Sequence, residues 1–194
     1  MNDPMNESLS ASLLEIRIHG RGGQGNVRGA YLLAQAAVAA GFFAQAFPFF
    51  GAERRGAPVA AFARLSPKPF YRHCQVEFPH HVIVQDAAIA RLPETLSGLR
   101  EGGTVLANGS EESAPDPRMR YFPATALALE FLGAPIPNTA LLAAFVMGTG
   151  MFPLDALKKA LEESFSGKTL EKNLALVEKA ASMISPGELR YACS

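Results

Sequence analysis

The chain has 194 residues, 48% of them hydrophobic, with 18 basic and 18 acidic side chains and a formal net charge of zero. A chain of that length and apolar content buries a proper core in one domain, and the balanced charge excludes a general nucleic-acid binder, which needs a basic excess to displace counterions. Its two cysteines, Cys74 and Cys193, lie far apart with no C-x-x-C spacing, which excludes an iron–sulfur cluster or a structural zinc held by this chain alone.

Residues 1–12 are small and polar, with no charged-then-apolar signal pattern, and read as a flexible N-terminal segment. The longest apolar run, Ala140 to Met147, is far too short to span a bilayer. These features predict a cytoplasmic protein without a membrane anchor. Its single α/β domain covers residues 13–186, and a short tail covers 187–194.

Leu13 to His19 is an apolar run that reads as the first strand. Gly20-Arg21-Gly22-Gly23-Gln24-Gly25 follows, and the alanine-rich run Val27 to Ala40 predicts a helix closed by Gly41. Phe42 to Phe47 is a second strand. Pro48 to Pro58, with its aromatics, glycines and Arg54-Arg55 pair, is a loop by its breakers. Val59 to Leu65 is a strand, 70–80 an ambiguous stretch with room for one edge strand, and His81 to Asp86 a buried-type strand ending in an acid. Leu92 to Leu99 reads as helical, Thr104 to Ala107 and Arg118 to Phe122 as strands, and Pro123 to Leu132 as a helix with proline in its first turn. Asn138 is placed to cap an apolar helix over Thr139 to Gly148. Pro153 to Phe165 and Thr169 to Ile184 carry apolar residues at helical spacing, with Gly167 as the stop between them and Asp155–Lys159 as an i,i+4 pair. Strands alternating with helices predict a layered α/β fold of Rossmann-like type, with a mostly parallel sheet flanked by helices and a helical C-terminal end. Ligands of such sheets bind beyond the carboxyl ends of the strands, where the glycine loop, the Phe/Arg loop, Asp86 and Asn108 all fall.

The glycine loop matches G-x-G-x-x-G through Gly20, Gly22 and Gly25, between a strand and a helix. A helix starting there presents free N–H groups and a partial positive charge to an anion. The dinucleotide reading also needs an acid at the end of the second strand, and Phe42 to Phe47 has none. A tight turn that only packs helix on strand is the plain alternative. In the second loop, Arg54 and Arg55 suit phosphate and Phe47, Phe49 and Phe50 suit base stacking; equally, Glu53 can pair with an arginine and the aromatics can be core. His19, His73, His80 and His81 lack metal-ligand spacing, and Asp86 fits a helix cap better than a general base. No catalytic constellation and no metal site emerge.

The pair of motifs, Gly20 to Gly25 and then Phe50-Gly51-Ala52-Glu53-Arg54-Arg55-Gly56-Ala57-Pro58-Val59, resembles the gamma subunit of 2-oxoacid:ferredoxin oxidoreductases. The Glu-Arg-Arg-Gly-Ala-Pro form makes the pyruvate enzyme the nearest type. Val82 to Asp86, Pro137-Asn138-Thr139 and Phe165 to Asn173 are also similar, so the likeness runs from about 14 to 184. The resemblance implies an α/β subunit, not catalytic alone, in a complex that cleaves a 2-oxoacid and releases acyl-CoA. Thiamine diphosphate, Mg and iron–sulfur clusters would sit on partner subunits, and ferredoxin would accept the electrons. It further implies that Gly22, Gly23, Gln24, Gly25, Arg54, Arg55, Gly56 and Asn138 face a coenzyme A site, with the two arginines on its phosphates. Asn26-Val27-Arg28 and Gln85 depart from the small or aliphatic residues common at these places, which leaves 2-oxoglutarate, branched-chain and indolepyruvate-type enzymes open, beside a free-standing dinucleotide-binding oxidoreductase or a purely structural interaction module.

Overall fold

A computed structural model of the chain describes residues 13–49, 58–110 and 118–189. The elements are β1 (Leu14–Arg21), α1 (Asn26–Ala39), β2 (Phe43–Pro48), β3 (Pro58–Ser66), β4 (His81–Val84), a 3₁₀ turn (Ile89–Arg91), the one-turn α2 (Pro93–Leu96), β5 (Thr104–Asn108), β6 (Met119–Phe122), α3 (Ala124–Leu132), α4 (Asn138–Thr149), α5 (Leu154–Ser164) and α6 (Gly167–Ala181).

Six strands form one sheet in the order β2-β3-β1-β4-β5-β6. The ladders β1–β4, β4–β5 and β5–β6 are parallel, and β1–β3 and β2–β3 are antiparallel. The α/β layering and helical C-terminal end are as expected, while the sheet is mixed: parallel on one side of β1 and antiparallel on the other. The reason is connection length. Only residues 49–57 join β2 to β3, fewer than the dozen or so a parallel crossover needs.

The register sorts side chains into two faces. Leu14, Ile16 and Ile18 of β1 share one face with Ala61, Ala63 and Leu65 of β3 and with Ile83 and Leu106. This face is covered by α1, α3, α4, α5 and α6 and forms the main core. Helix α4 lies at its centre, with Leu141, Leu142, Phe145 and Val146 almost wholly buried; each such side chain contributes about 1.5–3 kcal/mol by leaving water. The opposite face carries Val82, Val84, Val105, Ala107 and Met119 beneath Ile89, Ala90 and Leu96 on one side of the sheet. On the other side it carries Glu15, Arg17, His19, Phe62 and Arg64.

Several local expectations are revised. Residues 70–80 form no strand, because buried Arg64 takes their backbone carbonyls: its guanidinium donates to Arg72 O at 3.4 Å, Cys74 O at 2.7 Å and Gln75 O at 3.2 Å. The helical expectation over Leu92 to Leu99 shrinks to one turn, ended by Gly98 at φ 72°. Gly167 begins α6 rather than ending α5, whose last residue is Ser164. The partner of Asp155 is Lys158, at 3.8 Å, and the same ammonium reaches Glu178 of α6 at 3.0 Å. Asn138 is the first residue of α4, and Pro137 stands at the cap. The expected tail is anchored at its start: Leu189 is buried and its N–H donates to Gly148 O at 2.8 Å.

Candidate functional site

The loop after β1 is a closed turn held from within. Gln24 N–H donates to Arg21 O at 3.2 Å, Arg21 N–H donates to Gln24 Oε1 at 2.7 Å, and Asn26 Nδ2 donates to the same Arg21 O at 3.2 Å. Gly23 and Gly25 sit at φ 94° and 81°, where a side chain is strained. Gly25 stands at the cap of α1 and offers it no side chain, and the first turn contains no acid. The opening N–H groups of α1 therefore meet no capping oxygen from their own segment, which suits an incoming anion.

The four glycines differ in what surrounds them. A Cβ on Gly20 would collide with the Asn26 side chain, and one on Gly25 would stand 2.6 Å from Asn138 Nδ2. Among the described residues, nothing stands within 4 Å of a Cβ placed on Gly22 or Gly23. The first pair serves close packing of strand, helix and helix, and the second leaves the approach to the loop clear.

Asn138 arrives from 113 residues away. It is buried, donates through Nδ2 to Gly25 O at 3.4 Å, and accepts from Thr139 N–H at 2.8 Å. The structure thus brings together Gly22, Gly23, Gln24, Gly25 and Asn138. Arg54, Arg55 and Gly56 lie outside the described residues. Pro58, the first described residue after them, pairs with Arg21 in the sheet.

Asp86, just past β4, ties the loop down. Its Oδ2 accepts from Arg21 Nε at 2.8 Å and from Gln24 Nε2 at 3.5 Å, and its Oδ1 accepts from Ala88 N–H at 2.9 Å. Burial pushes its carboxyl up, but the bonds from Arg21 and Ala88 outweigh that and leave it below the ordinary range. Asp86 is thus a fixed anion and a turn-forming residue. Gln24 is held by Arg21 and Asp86, which fixes the shape of the loop. Asn108 also works structurally, donating to Gln85 O at 3.0 Å and clasping Thr125 at the start of α3. Arg28, just after the loop, points away from it: its guanidinium stacks 4.2 Å over Phe165 and donates to Ser164 O.

The motifs did not single out Arg17, and they left His19 as a structural residue. The alternation Leu14-Glu15-Ile16-Arg17-Ile18-His19 carries the signal, since strict period-two polarity gives a strand one polar face. His19 is held neutral by burial and by nearby Arg17, its pKa lowered to about 4. Among the described residues no cluster of three or more His, Cys, Asp or Glu is arranged for a metal ion.

A family profile described as pyruvate ferredoxin/flavodoxin oxidoreductase matches residues 15–183. The chain belongs to that family, and within it is a gamma-type subunit of an oxidoreductase complex. It is 46% identical over 169 residues to pyruvate synthase subunit PorC of Methanocaldococcus jannaschii, covering 87% of this chain and 95% of the relative. It is 43% identical to the common gamma subunit of the pyruvate/ketoisovalerate oxidoreductases of Thermococcus kodakarensis, with the same coverage of each. The crystal structure of pyruvate oxidoreductase subunit PORC of Thermotoga maritima superposes with TM-score 0.77 at 34% identity, over 88% of this chain and 96% of that one. A 2-oxoglutarate:ferredoxin oxidoreductase of Magnetococcus marinus shares the fold at TM-score 0.75 and 21% identity; 93% of this chain matches 33% of that longer one.

Proposed function

We propose that this chain serves a pyruvate:ferredoxin oxidoreductase complex as its gamma subunit and forms one wall of the coenzyme A site. The observation that carries the reading is the uncapped N-terminus of α1 behind a loop whose Gly22 and Gly23 meet no neighbour among the described residues. A phosphate approaching there meets backbone N–H donors and a helix dipole. Arg54 and Arg55 supply the full charges. Pro58, three residues after Arg55 in the chain, pairs with the loop's own Arg21.

Thiamine diphosphate with Mg, held on a partner, supplies the chemistry that cleaves the 2-oxoacid, and partner-held iron–sulfur clusters pass electrons to ferredoxin. With only Cys74 and Cys193, this chain lacks the thiolates for a cluster of its own. Its part is to position coenzyme A and hold the assembly, in the cytoplasm; none of its described helices is long and apolar enough to cross a membrane. The sheet order counts against a free-standing dinucleotide enzyme: β3 lies between β1 and β2, whereas that fold sets the second strand beside the first so that its terminal acid reaches the ribose. The test is the double variant Arg54→Glu/Arg55→Glu in the assembled complex. The KM for coenzyme A rises about tenfold or more while the KM for pyruvate stays within twofold, as the loss of charge-assisted phosphate bonds requires. Unchanged coenzyme A kinetics would sink the proposed contacts.

A further inference from the structure

The sheet face opposite α1 and α3–α6 holds a cation with no counter-charge among the described residues. Arg17 sits in the middle of β1, the central strand, and is only 8% exposed. Its Nη2 donates to Thr95 O at 3.0 Å and Ser97 O at 2.6 Å, while its Nε is buried with no partner. Among the described residues no carboxylate lies within ion-pair distance of it. The contrast is Arg64, two places along on the neighbouring strand, which is fully buried but paired with Glu15 at 2.9 Å. Burying an unpaired charge is costly, and buried cations are found with anions. Burial without a compensating acid also depresses the Arg17 pKa.

Arg17 opens onto a cleft of about 270 Å³, lined also by Phe49, Ala60 and Phe62. Phe62 pairs with Arg17 in register and packs against Phe49 with ring centroids 6.3 Å apart. Next along the same face of β1 stands His19, whose Nε2 is likewise buried and unpartnered. The cleft therefore offers one buried cation and an aromatic wall. Among the described residues, Glu77 is the only acid in the lining.

We propose that this cleft is a carboxylate site: Arg17 receives the carboxylate, and Phe49 and Phe62 receive the carbon skeleton attached to it. The same chemistry has two sources, a free organic acid or an Asp or Glu side chain of a partner subunit. The site lies on the face away from α1 and α3–α6 and uses none of the groups assigned to coenzyme A, so either reading can fail without the other.

The probe is sodium benzoate, with sodium chloride at equal ionic strength as control, followed by saturation-transfer NMR on the full chain. The ring protons of benzoate show a saturable signal, and Arg17→Gln weakens binding by about tenfold or more, the loss expected for a charged hydrogen bond. Glu77→Gln acts in the opposite direction and tightens binding roughly two- to fivefold by removing a like charge at the rim. A merely structural Arg17, fastening the Thr95–Ser97 turn, shifts thermal stability but not benzoate binding. No saturable signal, or one equal in Arg17→Gln, overturns the proposal. The assembled complex separates the sources. A benzoate signal retained there assigns a free acid. A signal lost there, with Arg17→Gln weakening subunit association, assigns a partner's side chain. A signal lost while Arg17→Gln leaves association unchanged overturns the proposal.

Discussion

Alanine placed in turn at Gly22, Gly23 and Gly25 separates the work of the loop into strain, packing and ligand access. Gly22 has an ordinary φ and open space where a Cβ would stand. Gly22→Ala therefore leaves stability unchanged or raises it by about 0.4–1 kcal/mol, through the lower entropy of the unfolded chain. Gly23 also faces open space but sits at φ 94°, so Gly23→Ala costs the left-handed strain alone, about 1–2 kcal/mol. Gly25 combines φ 81° with a Cβ position 2.6 Å from Asn138 Nδ2. Asn138 begins buried α4 and has little room to retreat, so overpacking adds about 1–3 kcal/mol to the strain. Gly25→Ala thus totals about 2–5 kcal/mol. Urea unfolding of the full chain measures the order, and the KM for coenzyme A in the complex gives the functional half. Gly22→Ala is the informative variant there, neutral in stability yet raising that KM. If Gly22→Ala destabilises as much as Gly25→Ala, the loop geometry is wrong; if its KM for coenzyme A is unchanged, no ligand approaches at Gly22.

Glu15 accepts from buried Arg64 at 2.9 Å and lies 3.5 Å from both Arg72 and Arg100. Glu15→Gln strands the Arg64 charge and costs about 3–5 kcal/mol in chemical unfolding, whereas Arg72→Gln, at an exposed partner, costs under about 1 kcal/mol. Equal losses would show that the cluster does not centre on Arg64. Burial depresses the pKa of His81 to about 3, below the unfolded value of about 6.5. Its contribution is therefore complete above pH 6.5 and declines as pH falls from there toward 3, by about 2 kcal/mol at pH 5. His19 and His80, both lowered to about 4, act in the same direction. His81→Gln removes one histidine's share of the fall between pH 7 and 5, and an unaltered pH slope of unfolding would show that the buried ring is charged.

Much of the site was legible because it is local. The glycine spacing after an apolar run and before an alanine-rich run fixes a strand, turn and helix through backbone geometry alone, and β1, the loop and α1 follow it. The mixed sheet was also available in principle, since the connection between β2 and β3 is too short for a crossover. The polar face of β1 is written in its alternation, although a reading that weighs the stretch only as an apolar run passes over it. The role of Asn138 was half legible. Its position at the start of a helix is local, but its approach to Gly25 is not. The exchange of Lys159 for Lys158 as the partner of Asp155 has the same origin, because Glu178 on the neighbouring helix draws Lys158.

The sequence by itself determined the layered α/β class, the family, the uncapped glycine start of α1 and the lack of cluster-binding thiolates. Each depends on neighbours in the chain or on residue counts, which backbone periodicity and composition govern. Only the tertiary structure decided that β3 separates β1 from β2, that Asn138 closes on Gly25, and that of two arginines on one sheet face Arg64 finds Glu15 while Arg17 finds no acid among the described residues. These depend on strand pairing and helix packing between segments distant in sequence, where the partner of a side chain is set by register and not by spacing.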